Sequence, residues 1–287
     1  MNPGPLRRWV LAARVRTLPA AAVPVVIGAS LSRPRPYNVA ASLLCLVVAL
    51  ALQIGTNYAN DYSDGVRGTD EVRVGPFRLT ASRLVPANAV KRAALAFFAL
   101  AAVAGLALSI LTSWVFVPIG ASAIAAGWFY TGGPKPYGYY GFGEVFVMIY
   151  FGFVATVGTA FAQHGRIPAG AWWWGLVTGS MACALLEANN LRDVDGDRAA
   201  GKKTLAARLG RRRGAWLFAV FVAAAVLGAA LGGEALVGAV ALAMYIPALQ
   251  LAFSAKSSRE LLPLLKQSSY AQWTVGAVTA VVMFVTR

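Results

Sequence analysis

Two short clusters of Asn and Asp side chains are the residues best suited to chemistry in this chain. Each cluster lies where a long apolar run ends: Asn57, Asp61 and Asp64 form the first, and Asn189, Asp193 and Asp197 form the second. On a helix that turns by about 100° per residue, the members of each cluster lie along one side. The spacing therefore predicts two stripes of oxygen-bearing side chains, each at a helix end.

The residue types in these stripes favour a hard divalent cation. Carboxylate and amide oxygens, without His or Cys, are the ligands that suit Mg²⁺, which often shares its shell with substrate phosphates. Several residues suited to binding phosphate oxygens stand beside the acids, namely Asn60, Arg67, Arg73, Arg78, Arg192, Lys202 and Lys203. Together they predict a magnesium-dependent diphosphate site. The alternative is that these loop charges only solubilise the helix ends.

The composition indicates a membrane protein. Of 287 residues, 58% are hydrophobic and 13% are charged, and the mean hydropathy is +0.62, whereas soluble domains are about half apolar and a quarter charged. The net charge of +15 comes from bases placed between apolar runs, which favours lipid headgroups and anionic substrates over nucleic acid. Cys45 and Cys183 lie inside apolar runs and His164 is the only histidine, so neither a disulfide framework nor a zinc cluster is indicated.

The hydropathy pattern predicts about nine transmembrane helices in a single domain, 1–287. The apolar runs cover about 12–31, 39–59, 90–111, 113–131, 143–163, 170–191, 214–231, 235–255 and 269–286. If these spans alternate, 22 of the 26 basic residues lie on one side. The positive-inside rule makes that side cytoplasmic, with the N-terminus inside and the C-terminus outside. The loops at about 60–92, 132–142 and 192–213 then share the cytoplasmic side with both acidic stripes.

One acid lies inside a predicted span. Glu187 is about one turn from the end of the sixth run, where a carboxylate requires a partner or a water-filled cavity. Two roles are compatible with this position of Glu187: an ion pair with an Arg or Lys, or participation in the site.

Four segments resemble the UbiA superfamily of intramembrane aromatic prenyltransferases. They are 60–70 (NDYSDGVRGTD), 73–82 (RVGPFRLTAS), 130–144 (YTGGPKPYGYYGFGE) and 189–205, which runs from Asn-Asn-Leu-Arg-Asp to Gly-Lys-Lys-Thr-Leu. The second acidic motif matches at Asp193 and Asp197. In the first, the position four residues after Asp64 is Gly68, and Asp70 lies two residues beyond it. Segments 73–82 and 130–144 are most similar to the branch that prenylates 1,4-dihydroxy-2-naphthoate.

The resemblance implies a ring of nine helices around a lipid-open cavity in a bacterial plasma membrane. It implies that two Mg²⁺ ions join the diphosphate to Asn57, Asp61 and Asp64 on one side and to Asp193 and Asp197 on the other. The substrates implied are a polyprenyl diphosphate and 1,4-dihydroxy-2-naphthoate, giving demethylmenaquinol for menaquinone biosynthesis with loss of diphosphate and CO2.

The segment between the fourth and fifth spans supplies further candidates. Related enzymes carry Tyr and Lys here, so Lys135 is expected to hold the acceptor carboxylate or the diphosphate, and Tyr130 or Tyr137 to stabilise an allylic cation through its ring. The alternative is a simple Gly-Pro and Pro-Tyr-Gly turn. Roles are left open for Asp70, Glu144, Glu187, Asn189 and Asn190.

Two other functions are compatible with the pattern. One is a sister enzyme that uses another aromatic acceptor, such as 4-hydroxybenzoate. The other is a secondary transporter of an anionic metabolite, although transporters place their sites near the membrane midplane. Release of diphosphate on incubation with a prenyl diphosphate and Mg²⁺ separates the enzymes from the transporter.

Overall fold

The computed structural model describes residues 4–32, 37–69 and 77–286, and their regular structure is helical. The α-helices are α1 (Pro5–Ala12), α2 (Pro19–Ser30), α3 (Val39–Val66), α4 (Ala87–Leu111), α5 (Phe116–Phe129), α6 (Gly143–Val147), α7 (Gly158–His164), α8 (Ala171–Ala199), α9 (Leu205–Leu231), α10 (Ala235–Ser254) and α11 (Leu262–Thr286). A π-helix, Met148–Val157, joins α6 to α7, and 3-10 helices cover Val15–Thr17 and Tyr137–Tyr140. The predicted all-α class is confirmed for this part of the chain.

The helices have the length and surface of a multi-pass membrane protein. Within the described ranges, α3, α4, the stretch Gly143–His164, α9 and α10 are long and apolar enough to cross a bilayer. The bent pair Pro5–Thr17 and Pro19–Ser30 adds a sixth crossing if it is one span, and α5 is apolar but shorter. Large apolar side chains such as Val103, Ile110 and Leu236 are exposed on the outer faces, as contact with lipid requires.

The first predicted span is broken rather than continuous. The chain bends by 52° between the helical stretch that ends at Thr17 and α2, and a second break lies at Arg14, between α1 and the 3-10 helix, where φ is 53°. Pro19 then begins α2, where its missing N–H costs nothing. Arg14 is half-buried and lies outside the regular helices.

Two of the predicted loops are shorter than expected, because helices continue into them from both sides. α3 continues to Val66, so Asn60 to Asp64 lie on the helix rather than in a loop. α8 continues to Ala199 and α9 begins at Leu205, so the predicted loop 192–213 reduces to a connection at 200–204. Apolar runs end at the edge of the bilayer, whereas helical hydrogen bonds continue into polar residues beyond it.

α8 is the helix around which the site is arranged. It packs against α9, the π-helix, α11 and α2, and most of its residues from Ala171 to Val194 are buried. Its contact with the π-helix is very close, because a Cβ added at Gly152 would lie 2.6 Å from the Gly175 carbonyl oxygen and 2.8 Å from the Gly179 Cα. Glycine at these positions lets the two backbones meet, and this contact holds the first half of α8 against the π-helix.

Candidate active site

Two adjoining cavities lie between the helices. The larger, called here the apolar compartment, has a volume of about 440 Å³ and is lined mainly by apolar side chains of α2, α3, α4, α5, α8 and the π-helix. The smaller, the polar compartment, has a volume of about 80 Å³ and is lined largely by charged and polar side chains. The residues that line both define the junction, and those described are Arg14, Asn60, Tyr130, Leu186 and Asn189.

Asp64, near the end of α3, is the acidic centre of the polar compartment. Its Oδ1 accepts a hydrogen bond of 2.5 Å from the Tyr139 hydroxyl and lies 3.3 Å from Lys202 Nζ. Its Oδ2 lies 3.7 Å from Arg78 Nη2. Burial, followed by the charge of Asp64, raises the pKa of Tyr139 above its ordinary value, so the hydroxyl keeps its proton and donates a hydrogen bond to the carboxylate.

The acids of α8 line the same compartment. Asp197 lies 4.0 Å from Lys202 Nζ and accepts a hydrogen bond of 3.3 Å from the Thr204 hydroxyl. Asp193 accepts two bonds of 2.8 Å from the guanidinium of Arg192, which is 3% exposed. Arg192 lines neither compartment and instead balances the charge of Asp193. The two predicted stripes therefore meet across the polar compartment.

Asp61 anchors the segment that follows α3. Its two carboxylate oxygens accept the backbone N–H groups of Leu79 at 2.8 Å and Thr80 at 2.9 Å. Asp61 is 1% exposed and lines neither compartment. The contact holds residues 77–83 against α3 and so places Arg78 beside Asp64. Metal binding by Asp61 stays a prediction, and the role seen in the structure is positional.

The segment after α5 is fastened to α3 in two places. The Thr131 hydroxyl donates to Asn60 Oδ1 at 2.8 Å. The guanidinium of Arg67 donates to the carbonyl oxygens of Thr131 and Gly133 and lies over the Tyr139 ring. These contacts set the position of Tyr139, so Arg67 serves the site by holding its wall and does not itself line the polar compartment.

Two tyrosines of the segment 130–144 line the apolar compartment, but its lysine does not. Tyr130 lies at the junction, and Tyr137 lines the apolar compartment with its ring stacked 4.0 Å from that of Phe146. Lys135 is exposed and lines neither cavity, and the same holds for Lys203. Substrate binding by these two lysines is thus not supported by their positions. The predictions for Asp70 and Arg73 lie outside the described residues.

Three further polar residues of the prediction lie around α8. Asn190 lines the polar compartment and donates to Glu144 Oε1 at 3.0 Å. Glu187 is fully buried, and neither carboxylate oxygen has a hydrogen bond. It faces Gly214, where an added Cβ would lie 2.9 Å from its Oε1. The ion pair considered for Glu187 is absent from the described part of the chain, because its carboxyl group occupies the space beside a glycine and meets no cation there.

The oxygen ligands of the site fit a hard divalent cation whose coordination shell is completed by substrate. Asp64, Asp193 and Asp197 face one small compartment with oxygen atoms alone. Within 4–32, 37–69 and 77–286, no three acidic, His or Cys side chains are close enough to hold an ion by themselves. An ion here would complete its shell with water and diphosphate oxygens, which is the usual behaviour of Mg²⁺.

Two residues at the site were not found from the sequence. Tyr139 lies within the segment 130–144, but nothing in the spacing distinguishes it from Tyr137 and Tyr140. Arg14 interrupts the first apolar run, and this interruption was the available signal. Their roles depend on the bend after α1 and on the turn after α5, neither of which has a hydropathy pattern.

A charged compartment that opens into a large apolar one between membrane helices defines an intramembrane prenyltransferase. The chain belongs to the UbiA prenyltransferase family, whose model matches residues 21–275. It is 44% identical to the 1,4-dihydroxy-2-naphthoate octaprenyltransferase of Mycobacterium tuberculosis, over 95% of this chain and 96% of that protein. It is 37% identical to the enzyme of the same name from Escherichia coli, over 70% of this chain and 68% of that protein.

Solved structures share the fold. A UbiA homolog from Aeropyrum pernix K1 superposes with a TM-score of 0.68 at 18% identity, covering 93% of this chain and 97% of that one. A UbiA homolog from Archaeoglobus fulgidus, bound to DMAPP and Mg²⁺, superposes with a TM-score of 0.66 at 14% identity, covering 96% and 99%. The UbiA-like fold predicted from the sequence is confirmed.

Proposed function

We propose that the protein transfers a polyprenyl group from polyprenyl diphosphate to 1,4-dihydroxy-2-naphthoate, giving demethylmenaquinol, diphosphate and CO2. The observation that carries the proposal is the pair of adjoining compartments, because one suits a diphosphate and the other an isoprenoid chain. The names of the relatives support the naphthoate as acceptor. The resulting quinol belongs to menaquinone biosynthesis.

The charged residues of the polar compartment suit a leaving diphosphate. Arg78 and Lys202 are two of the cations that line it beside the acids, and such groups stabilise the charge that develops as the allylic C–O bond breaks. We propose that the acids hold two Mg²⁺ ions, Asp64 on the side of α3 and Asp193 and Asp197 on the side of α8. When bound, the metal supplies Lewis-acid stabilisation of the diphosphate.

The reaction balances without a protein base. The C–O electron pair leaves with the diphosphate, and the ring carbon that carries the carboxylate forms the new C–C bond to the allylic carbon. The bond to the carboxylate then breaks, CO2 departs, and the electron pair it leaves restores the aromatic ring. We propose that the ring of Tyr130 stabilises the cation-like carbon, and the position of Tyr130 at the junction supports this role.

Product identification tests this proposal. Purified protein in detergent, given a prenyl diphosphate and Mg²⁺, is expected to convert 1,4-dihydroxy-2-naphthoate much faster than 4-hydroxybenzoate, with diphosphate released in equal amount. Mass spectrometry of the lipid product and a phosphate assay measure the two outcomes. Faster prenylation of 4-hydroxybenzoate would assign the protein to another branch of the family. Uptake of substrate without release of diphosphate would indicate a transporter.

For the topology, we propose nine crossings in a ring open to lipid, with the N-terminus in the cytoplasm and the C-terminus outside, in the plasma membrane of a bacterium. The helical stretches that correspond to the predicted spans are α2 to α5, Gly143–His164 and α8 to α11, and five of them are long and apolar enough to cross a bilayer by themselves. The excess of bases at the end of the molecule that holds the polar compartment supports the direction.

Thiol labelling tests the direction. In a variant whose buried Cys45 and Cys183 are replaced by Ala, a cysteine at Arg166 should react with an impermeant maleimide on intact cells. A cysteine at Ala200 should react only after the membrane is opened, because the helix α8 separates the two positions. Reaction of both from the same side would contradict the topology.

A further inference from the structure

Arg14 is a charged residue at the junction of the two compartments. It lines both compartments at the junction and has left-handed backbone geometry, with a φ of 53°. Non-glycine residues adopt that geometry rarely, and at functional sites when the surroundings enforce it. Among the described residues that line the apolar compartment, Arg14 is the only charged one.

A buried hydrogen-bond network enforces this geometry. The Thr17 backbone N–H and hydroxyl both donate to the Arg14 carbonyl oxygen, at 2.7 and 2.9 Å. The Asn57 amide donates to the Ala13 carbonyl oxygen at 3.0 Å and to the Thr17 hydroxyl at 3.1 Å. Gln53 also donates to that hydroxyl, at 2.8 Å. The polar stripe of α3 thus holds the bend that carries Arg14.

The acceptor needs a cation at this place. A carboxylate on an aromatic ring must approach the allylic carbon where the diphosphate and the prenyl chain meet, which is the junction. Moving that anion into an apolar cavity is costly unless a cation pairs with it. Arg78 and Lys202 line the polar compartment but not the apolar one, and Lys135 is exposed outside the cavities.

We propose that Arg14 binds the carboxylate of the aromatic acceptor and so selects for carboxylated rings. A guanidinium suits this role because its planar fork pairs with both carboxylate oxygens, whereas a lysine offers a single point of charge. The proposal rests on the proposed function, and it replaces the role expected for Lys135. In this proposal, the hydrogen bonds of Thr17, Asn57 and Gln53 support acceptor binding because they hold the backbone at Arg14 in place.

Equilibrium binding of a charged and an uncharged ligand tests the role of Arg14. The probes are 2-naphthoate and its isosteric amide, 2-naphthamide, measured by dialysis without turnover. The wild-type protein should prefer the acid, and Arg14→Gln should reduce that preference by about 10- to 100-fold, the range expected for a hydrogen bond to a charged group. Arg14→Lys should give an intermediate value. The matched control is Arg16→Gln, because Arg16 is exposed two residues away and its loss should leave the preference unchanged.

Kinetics in the same variants separate the possible outcomes. Arg14→Gln should raise the KM for the naphthoate and leave the KM for prenyl diphosphate within about twofold of wild type. A raised KM for prenyl diphosphate with an unchanged acid-to-amide preference would overturn the proposal and assign Arg14 to the diphosphate. An unchanged preference in Arg14→Lys, if Arg14→Gln does not fold, would overturn it as well. Failure of the proposed function shows separately, as absence of naphthoate prenylation by the wild-type protein.

Discussion

Replacing Asp64 by Asn is expected to lower kcat/KM by about 10²- to 10³-fold, the scale of losing one preorganised electrostatic contact in an active site. The substitution keeps size and polarity but removes the charge that Lys202 and Arg78 face at 3.3 and 3.7 Å. It also removes one anionic ligand of the proposed metal site. Turnover assays over a range of Mg²⁺ concentrations should show that the variant needs more metal for half-maximal activity.

A double substitution tests whether the two stripes act together. Asp197→Asn on α8 should lose about as much activity as Asp64→Asn. The double variant should be little worse than either single one, because both acids act on one leaving group. The control is Asp195→Asn, an exposed acid on the same helix that pairs with Arg211 at 2.5 Å and should keep its activity. Near-normal turnover in the presence of EDTA, in either single variant, would contradict a metal site.

Gly152→Val is expected to lower the melting temperature by about 5–10 °C, on the scale of core overpacking in a chain of this size. The new side chain would meet the backbone of α8 at Gly175 and Gly179, at 2.6 and 2.8 Å from Cβ alone. Backbone atoms of a packed helix cannot move aside as a flexible side chain does. Activity should fall as well, because α8 carries Asp193 and Asp197.

The matched control is Gly120→Val on α5, where an added Cβ has no atom within 4 Å. Thermal unfolding in detergent, followed by size-exclusion chromatography, should show little change for this variant. Equal melting temperatures for the two substitutions would mean that the π-helix and α8 do not depend on their close contact, and the account of how α8 is held would be wrong.

The all-α membrane class and the family followed from local sequence. Apolar runs long enough to cross a bilayer are visible in the residues themselves, so the membrane class can be predicted from them. The Asn and Asp stripes follow from helical periodicity alone, and the structure brings Asp64 of the first to Asp193 and Asp197 of the second. The ends of the helices were harder to predict from the sequence, because α3 and α8 continue through polar residues at which an apolar run stops.

The separate roles of the polar residues were decided only by tertiary structure. Asp61 and Asp64 are three positions apart on one helix, yet Asp61 holds residues 77–83 and Asp64 faces the polar compartment. Arg192 pairs with its neighbour Asp193, whereas Arg14 is brought to the junction by a bend. Charge and residue type are local properties, but the partner that each charge meets depends on contacts between distant parts of the chain. That is why the sequence determined the kind of chemistry, and the packing of α3, α8 and the bend at Arg14 determined which residues are placed to perform it.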